Sequence, residues 1–389
     1  MVFKYFEWMH LFWQMKHYQK VENYPGASPR QDKLYQFFPE GAICSDGSRY
    51  HALFRKGKEN NLIIVLDGGG MMFDRFSAAY PSGDTVVEGQ LSFYDAWCKP
   101  SKNAYARLGM FHEKCRKSPF FGWTMLYVPY ATGDFHSGDG DFTYTDQAER
   151  EKVFHARGNR NLHLCIDFIK QFCSDPDKLV VLGCSAGGFG TAFVGNDILE
   201  CFPDCRDCTC IVDGAAFDFD CRECVEMLWQ VPASIAAQIK TKDIVADGLE
   251  YLYEHQKDRV KIGYVISLRD FVLTRYQNYF DTHKEMGWPP EATERMEKII
   301  CNTIQRLRKS IPDFSYFLYD YNFNDLRGKP VAFNGATSHC CLWIPEFMRF
   351  ERENCSGLQW VKNVLGGRPT QIGEKLLNQK TNNADLFTD

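Results

Sequence analysis

At 389 residues with 44% hydrophobic content, the chain can bury a large core, and one α/β domain carrying insertions accounts for the length better than two small domains. The net charge of −5, with no run of lysine or arginine longer than two, supplies no basic field and argues against a nucleic-acid partner. No stretch of about twenty apolar residues occurs, which excludes a membrane-spanning apolar helix.

In chain order, the segment MVFKYFEWMHLFWQMKHYQKV sets Phe3, Phe6, Met9, Leu11, Phe12 and Met15 at near-helical spacing, which predicts a helix docked on the body of the protein, with a helix lying on a membrane or partner as the alternative. Lys4, Glu7, His10 and Lys16 interrupt every apolar stretch there. No signal-peptide core can be drawn, so the expected location is cytoplasmic, or secreted if a leader has been removed. Residues 1–37 read as an N-terminal extension. NLIIVLDGGG (61–70) predicts a buried strand ending in a glycine turn, and WTMLYVPYATGD (123–134) a second strand ending in a polar loop. Leu162, Leu164, Ile166, Phe168, Ile169 and Phe172 recur at helical spacing. KLVVLGCSAGG then enters a turn, after which GTAFVGNDILECF reads as a helix.

Further strands are expected in CIVDGAAFDF (210–219), VKIGYVISLRD (260–270) and FSYFLYDYN (314–322). The stretches 225–256 and 281–311 are helical in character and read as insertions beside the sheet, while residues 369–389 read as a loose polar tail. Buried strands that are uninterrupted apolar runs, alternating with helices, predict a single α/β domain over 1–389, with a mostly parallel sheet covered by helices on both faces.

The sequence holds 16 cysteines, read as reduced thiols in the absence of a visible leader. Cys205, Cys208, Cys221 and Cys224 follow C-x2-C-x12-C-x2-C, a spacing compatible with tetrahedral zinc. Cys201 and Cys210 lie in the same stretch and the intervening residues read as a strand, so no metal is assigned. A catalytically inactive, zinc-stabilised binding protein is the alternative of a different class. A thiol redox role ranks below both, because no C-x-x-C opens a helix after a strand.

Gly183, Ser185 and Gly187 satisfy G-x-S-x-G between an apolar strand and a helix, the context in which that motif forms the nucleophile elbow of an α/β-hydrolase. A serine on so tight a turn adopts a strained backbone, and side chains two residues away on either side would clash; glycine removes them. An oxyanion hole needs two backbone donors. Ala186 follows the serine, and Gly68, Gly69 and Gly70 follow an earlier strand, of which Gly69 and Gly70 are the candidates. No phosphate-loop or dinucleotide pattern continues from these glycines, so no cofactor is expected.

In this class the base lies downstream of the acid. The histidines beyond Ser185 are His255, His283 and His339; the first two sit in charged segments, whereas His339 in GATSHCCLW follows the last strand. For the acid, Asp270 closes the second strand after the nucleophile, the expected ordinal position, and Asp213, one strand earlier, is the alternative. Asp134 and His136, on a loop after a parallel strand, are expected to face the cleft and hydrogen-bond substrate, or else simply to order their loop. Met71, with Met72, Phe73 and Phe189, is expected to set pocket depth.

With these residues assembled, the chain resembles the pectin acetylesterase and Notum carboxylesterase family from about residue 38 to 345. The resemblance is carried by LDGGG, YATGDFHSGD, LGCSAGGFG, CIVDGAAFDFD, ISLRD and SHCCL. It departs from the family pattern at Ala131, where a cysteine is common. The resemblance implies a metal-independent serine esterase with Ser185, Asp270 and His339 as triad, acting on an oligosaccharide or other small-molecule ester. Acetate is the expected acyl group, with a longer acyl chain on a protein as the alternative. Oligomeric state is not legible.

Overall fold

The computed structural model describes residues 2–82, 91–284, 286–323 and 336–378. Among the described residues ten strands form one sheet: β1 (Glu22–Asn23), β2 (Leu34–Phe37), β3 (Ala52–Arg55), β4 (Asn61–Leu66), β5 (Thr124–Val128), β6 (Lys178–Cys184), β7 (Asp207–Asp213), β8 (Val260–Ser267), β9 (Ser315–Tyr319) and β10 (Gln371–Ile372). Their spatial order is β1-β2-β3-β5-β4-β6-β7-β8-β9-β10. Only β3 runs antiparallel to its neighbours, and every pair from β5 to β10 is parallel.

Alternation along each strand splits the core in two. Leu62, Ile64, Leu66, Leu179 and Val181 face one apolar cluster, and Ile63, Val65, Val180 and Leu182 face the other. A strand buried on both faces needs apolar residues at every position, which is why these segments read as unbroken runs. The first face is covered by the helices Gly158–Lys170 (α1), Ala186–Glu200 (α2), Ile244–Gln256 (α3) and Pro290–Ser310 (α4). The second is covered by the turns around Tyr105 to Phe111, by Cys340 to Phe347 and by the helix Gly357–Leu365 (α5).

Three expectations need correcting. The segments 225–256 and 281–311 do not stand beside the sheet as insertions. They supply α3, between the parallel neighbours β7 and β8, and α4, between β8 and β9, because adjacent parallel strands require a crossover of a dozen or more residues. A methyl on Gly248 of α3 would meet the Ala192 carbonyl of α2 at 2.4 Å, so the helix is seated directly on the domain. Likewise the tail is not loose from residue 369: Gln371 and Ile372 pair with Tyr316 and Phe317 as the edge strand. Residues 379–389 lie outside the described part. The expected N-terminal helix spans Val2–His17, but residues 22–37 of the extension carry β1 and β2 and belong to the sheet. An antiparallel hairpin, Gly140–Thr145 with Glu151–Ala156, was not foreseen. No helix among the described residues is long and apolar enough to cross a membrane.

The sheet positions the site. Strand β4 is followed in sequence by β5 on one side of it, while β6 lies on the other, so the connections diverge and leave a crevice beyond the carboxyl ends of β4 and β6. The glycines of LDGGG leave β4 there, and Ser185 leaves β6 beside them.

Candidate active site

Ser185 has φ 56° and ψ −124°, a conformation outside the ordinary regions for a residue with a side chain. Its neighbours make that affordable. A methyl on Gly183 would sit 1.8 Å from the Gly187 carbonyl oxygen, and one on Gly187 would sit 2.0 Å from the Leu66 carbonyl oxygen. The Ser185 amide donates to the Asp213 carbonyl (2.8 Å), and the Gly188 amide donates to the Ser185 carbonyl (2.7 Å), which pins the bend between β6, β7 and α2.

Ser185 lines a pocket of about 350 Å³ together with Asp67 to Gly70, Lys102, Tyr105, Tyr127, His339 and Trp343. The pocket brings the predicted nucleophile, the predicted base and the glycine loop into one space. His339 Nδ1 lies 2.7 Å from Asp270 Oδ2. Its other ring nitrogen, Nε2, is buried and has no hydrogen-bond partner among the described residues, so it is the nitrogen left for a proton transfer within the pocket.

Asp270 is fully buried and divides its two oxygens between two tasks. Oδ1 accepts from the amides of Val272 and Leu273 (3.0 Å each), capping the helix Phe271–Thr282, while Oδ2 holds His339. The loops bearing the two residues are zipped together: Phe271 donates to the Thr337 carbonyl (3.0 Å) and Thr337 to the Arg269 carbonyl (2.8 Å). Ser267 and Thr337 also share a hydroxyl hydrogen bond.

Asp213, the alternative acid, has a different occupation. Its Oδ2 accepts from the amides of Cys341 and Leu342 (2.9 Å each), two and three residues past His339, so it anchors the histidine loop to β7. Burial pushes its carboxyl up to about 6, against the hydrogen bonds from Leu342 and Cys341.

On the oxyanion side, the residue packed most closely against the elbow is Gly68. A methyl there would sit 2.5 Å from both the Cys184 carbonyl oxygen and Ser185 Cβ, and 3.2 Å from the Ala186 nitrogen. Ala186 opens α2, where its amide has no preceding helical carbonyl to bond. Gly69 and Gly70 also line the pocket. Behind them lies a charged group that sequence reasoning missed. Lys102 Nζ donates to the Gly68 carbonyl oxygen and pairs with Asp95 Oδ2 (2.8 Å) and Asp67 Oδ2 (3.5 Å). Burial alone would lower the lysine's pKa; the charges of Asp67 and Asp95 prevail and hold it above the ordinary value. Nothing in KPSKNAY separates Lys102 from a solvated lysine, because its partners lie elsewhere in the chain. Trp343, Tyr105 and Tyr127, also missed, supply aromatic pocket wall.

The substrate-binding candidates are not brought to the pocket. Asp134 is fully buried and accepts from Thr132 Oγ1 (2.7 Å) and the amides of His136 (3.1 Å) and Gly158 (2.8 Å). It knots its own loop to the start of α1, and burial pushes its carboxyl up to about 7. The buried His136 places Nε2 2.8 Å from the Asp67 carbonyl, and burial lowers its pKa to about 4. Both residues order the loop by satisfying peptide groups that would otherwise be buried without these bonds. Met71 is 1% exposed and is not among the residues lining the pocket.

The cysteine pattern separates into two pairs. Cys208 Sγ donates to the Cys205 carbonyl (3.6 Å) and Cys224 Sγ to the Cys221 carbonyl (2.9 Å). Among the described residues no group of three or more His, Cys, Asp or Glu converges as a metal site would require, so these four do not form the tetrahedral cage that their spacing allows. None of the 16 cysteines is in a disulfide.

Two solved structures of the Wnt deacylase Notum from Drosophila, in different crystal forms, share this fold. One superposes with a TM-score of 0.54 at 17% identity over 87% of this chain and 96% of that one. The other gives 0.53 at 15% identity, over 87% and 95%. The pectinacetylesterase family model matches residues 33–235, a span that runs from β2 through the glycine loop and the Ser185 elbow. On that match the chain belongs to the pectinacetylesterase family and is a carboxylesterase built on an α/β-hydrolase fold.

Proposed function

We propose that this carboxylesterase is a serine hydrolase that removes O-acyl groups, acetyl first among them, from a carbohydrate ester such as a pectin- or xylan-derived oligosaccharide. The observation that carries the reading is the 2.7 Å contact of His339 Nδ1 with buried Asp270, with Nε2 unpartnered among the described residues, beside a pocket that Ser185 and His339 both line. In the cycle, Nε2 takes the Ser185 proton as Oγ attacks the ester carbonyl. Charge on the tetrahedral oxygen is met by the amides of Ala186 and of Gly69 or Gly70, and Asp270 stabilises the imidazolium. Return of the proton expels the sugar hydroxyl and leaves acyl-Ser185, which water opens by the same route.

A second reading, a longer acyl chain as in a Notum-like deacylase, is favoured by the pocket's volume of about 350 Å³ and its walls of Val65, Leu66, Tyr105, Phe111 and Trp343, more apolar space than an acetyl group fills. Both readings share the chemistry. Fluorophosphonate labelling with peptide mapping is expected to modify Ser185, and Ser185→Ala to lose labelling and at least about 10⁴-fold in turnover. Label on another residue, or an active Ser185→Ala protein, overturns the proposal. A series of 4-nitrophenyl esters from acetate to decanoate then separates the two readings by the position of the kcat/KM maximum.

A further inference from the structure

We infer that Lys102 is a positioning residue of the oxyanion hole, one that both orients and polarises the Gly68–Gly69 peptide. The inference rests on the serine esterase reading above. A trans peptide is planar, with its carbonyl oxygen and amide hydrogen on opposite edges, and no peptide bond among the described residues, Gly68–Gly69 included, is cis. Lys102 Nζ holds the Gly68 oxygen, so the Gly69 N–H is fixed on the opposite edge. The next peptide is held in the same manner, because the Asp95 amide donates to the Gly69 oxygen (2.8 Å), which fixes the Gly70 N–H. Two successive amides with no side chains beside them thus have their directions set by one short segment, residues 95 to 102.

The ammonium does more than a neutral donor would. Hydrogen bonds in series polarise one another, so positive charge on the Gly68 oxygen draws electron density from the amide and makes the Gly69 N–H a stronger donor. Lys102 is itself held in place, with Nζ on Asp95 Oδ2 and near Asp67 Oδ2, while Asp95 Oδ1 is occupied by Lys99 (2.6 Å). The side chain of Lys102 is 15% exposed, so water screens the interaction little. A methyl on Gly69 would sit 2.6 Å from Asp95 Oδ2, which shows how tightly the charged group backs the loop. Developing negative charge on the substrate oxygen would therefore meet a donor connected through one peptide to a buried cation.

The test uses the full chain with 4-nitrophenyl acetate as substrate and phenylboronic acid as a mimic of the tetrahedral adduct. Lys102→Met is expected to lower kcat by roughly tenfold to a hundredfold, somewhat below the loss of a whole oxyanion donor. The boronate Ki should rise by the same factor, with KM within about threefold. Lys102→Gln keeps a donor without the charge and is expected to lose about threefold to tenfold in both kcat and Ki. It carries the test if the Met variant does not fold. A kcat within about twofold of wild type in the folded variants overturns the inference. So does a fall in kcat with an unchanged boronate Ki, the pattern of a merely structural residue. Wild-type protein without esterase activity would overturn both this and the serine esterase reading, whereas active wild-type enzyme labelled at Ser185, with indifferent Lys102 variants, overturns only this one.

Discussion

Asp270→Asn tests the proposed acid with unusual sharpness, because the structure dictates which way the amide must face. Oδ1 accepts two helix amides, from Val272 and Leu273, and Oδ2 accepts from His339 Nδ1. An asparagine can place its oxygen at only one of these positions. Turned with its NH2 toward Val272 and Leu273, it sets donor against donor twice, each an unsatisfied buried group costing about 1–3 kcal/mol. Turned the other way, it keeps the cap and presents NH2 to Nδ1. The second arrangement wins, and Nδ1 must then become an acceptor, which moves the imidazole proton to Nε2 and abolishes its capacity as a base. A triad histidine locked in the wrong tautomer loses about 10⁴-fold in kcat, or about 5.5 kcal/mol of barrier. The fold loses only the charge–dipole part of the cap, about 0.3–1 kcal/mol. Steady-state hydrolysis of 4-nitrophenyl acetate, with Ser185→Ala as the floor and thermal unfolding as the control for folding, reads both quantities. Retention of more than about a tenth of wild-type turnover by a folded Asp270→Asn protein would refute the tautomer argument.

The alternative acid separates cleanly. Asp213→Ala removes the acceptor of the Cys341 and Leu342 amides and should cost about 1–3 kcal/mol in urea denaturation together with part of the turnover, whereas Asp213→Asn retains an acceptor and most of the activity. An inactive Asp213→Asn protein beside an active Asp270→Asn protein would exchange the two assignments. Asp134 and Asp213 are raised by burial from about 3.8 to about 7 and about 6, so the native state holds protons that the unfolded chain has released. Their contribution is fully present below about pH 4 and is lost as pH rises through 6 to 7. Chemical denaturation between pH 4 and 7.5 should show that decline, and Asp134→Asn should flatten it; an unchanged slope in the variant would assign the decline to other groups.

How far the sequence reached depended on the range of the interaction. Strand β6, its glycines and the helix after it are local: the bend at Ser185 excludes side chains at Gly183 and Gly187 through contacts at 1.8 and 2.0 Å, and that exclusion is written into adjacent letters. The buried strands were legible for the same reason, since a strand covered on both faces must be apolar throughout. The order of the chain left three histidines as candidate bases, of which the segment around His339 was the favoured one, and two aspartates as candidate acids.

Tertiary structure decided the rest. Asp134 and His136 looked like cleft residues because polar loops after parallel strands often are, yet both turn inward, where buried peptide groups require partners. The cysteine spacing was compatible with zinc, but spacing fixes separation along the chain and not convergence in space. Asp270 and Asp213 differ in the sequence only by ordinal position; which one meets His339 depends on a loop crossing two strands, pinned at Thr337 on one side and at Cys341 and Leu342 on the other. Lys102 is the clearest case. Its role lies wholly in partners 7, 34 and 35 residues away, and a solvated lysine would be spelled with the same letter.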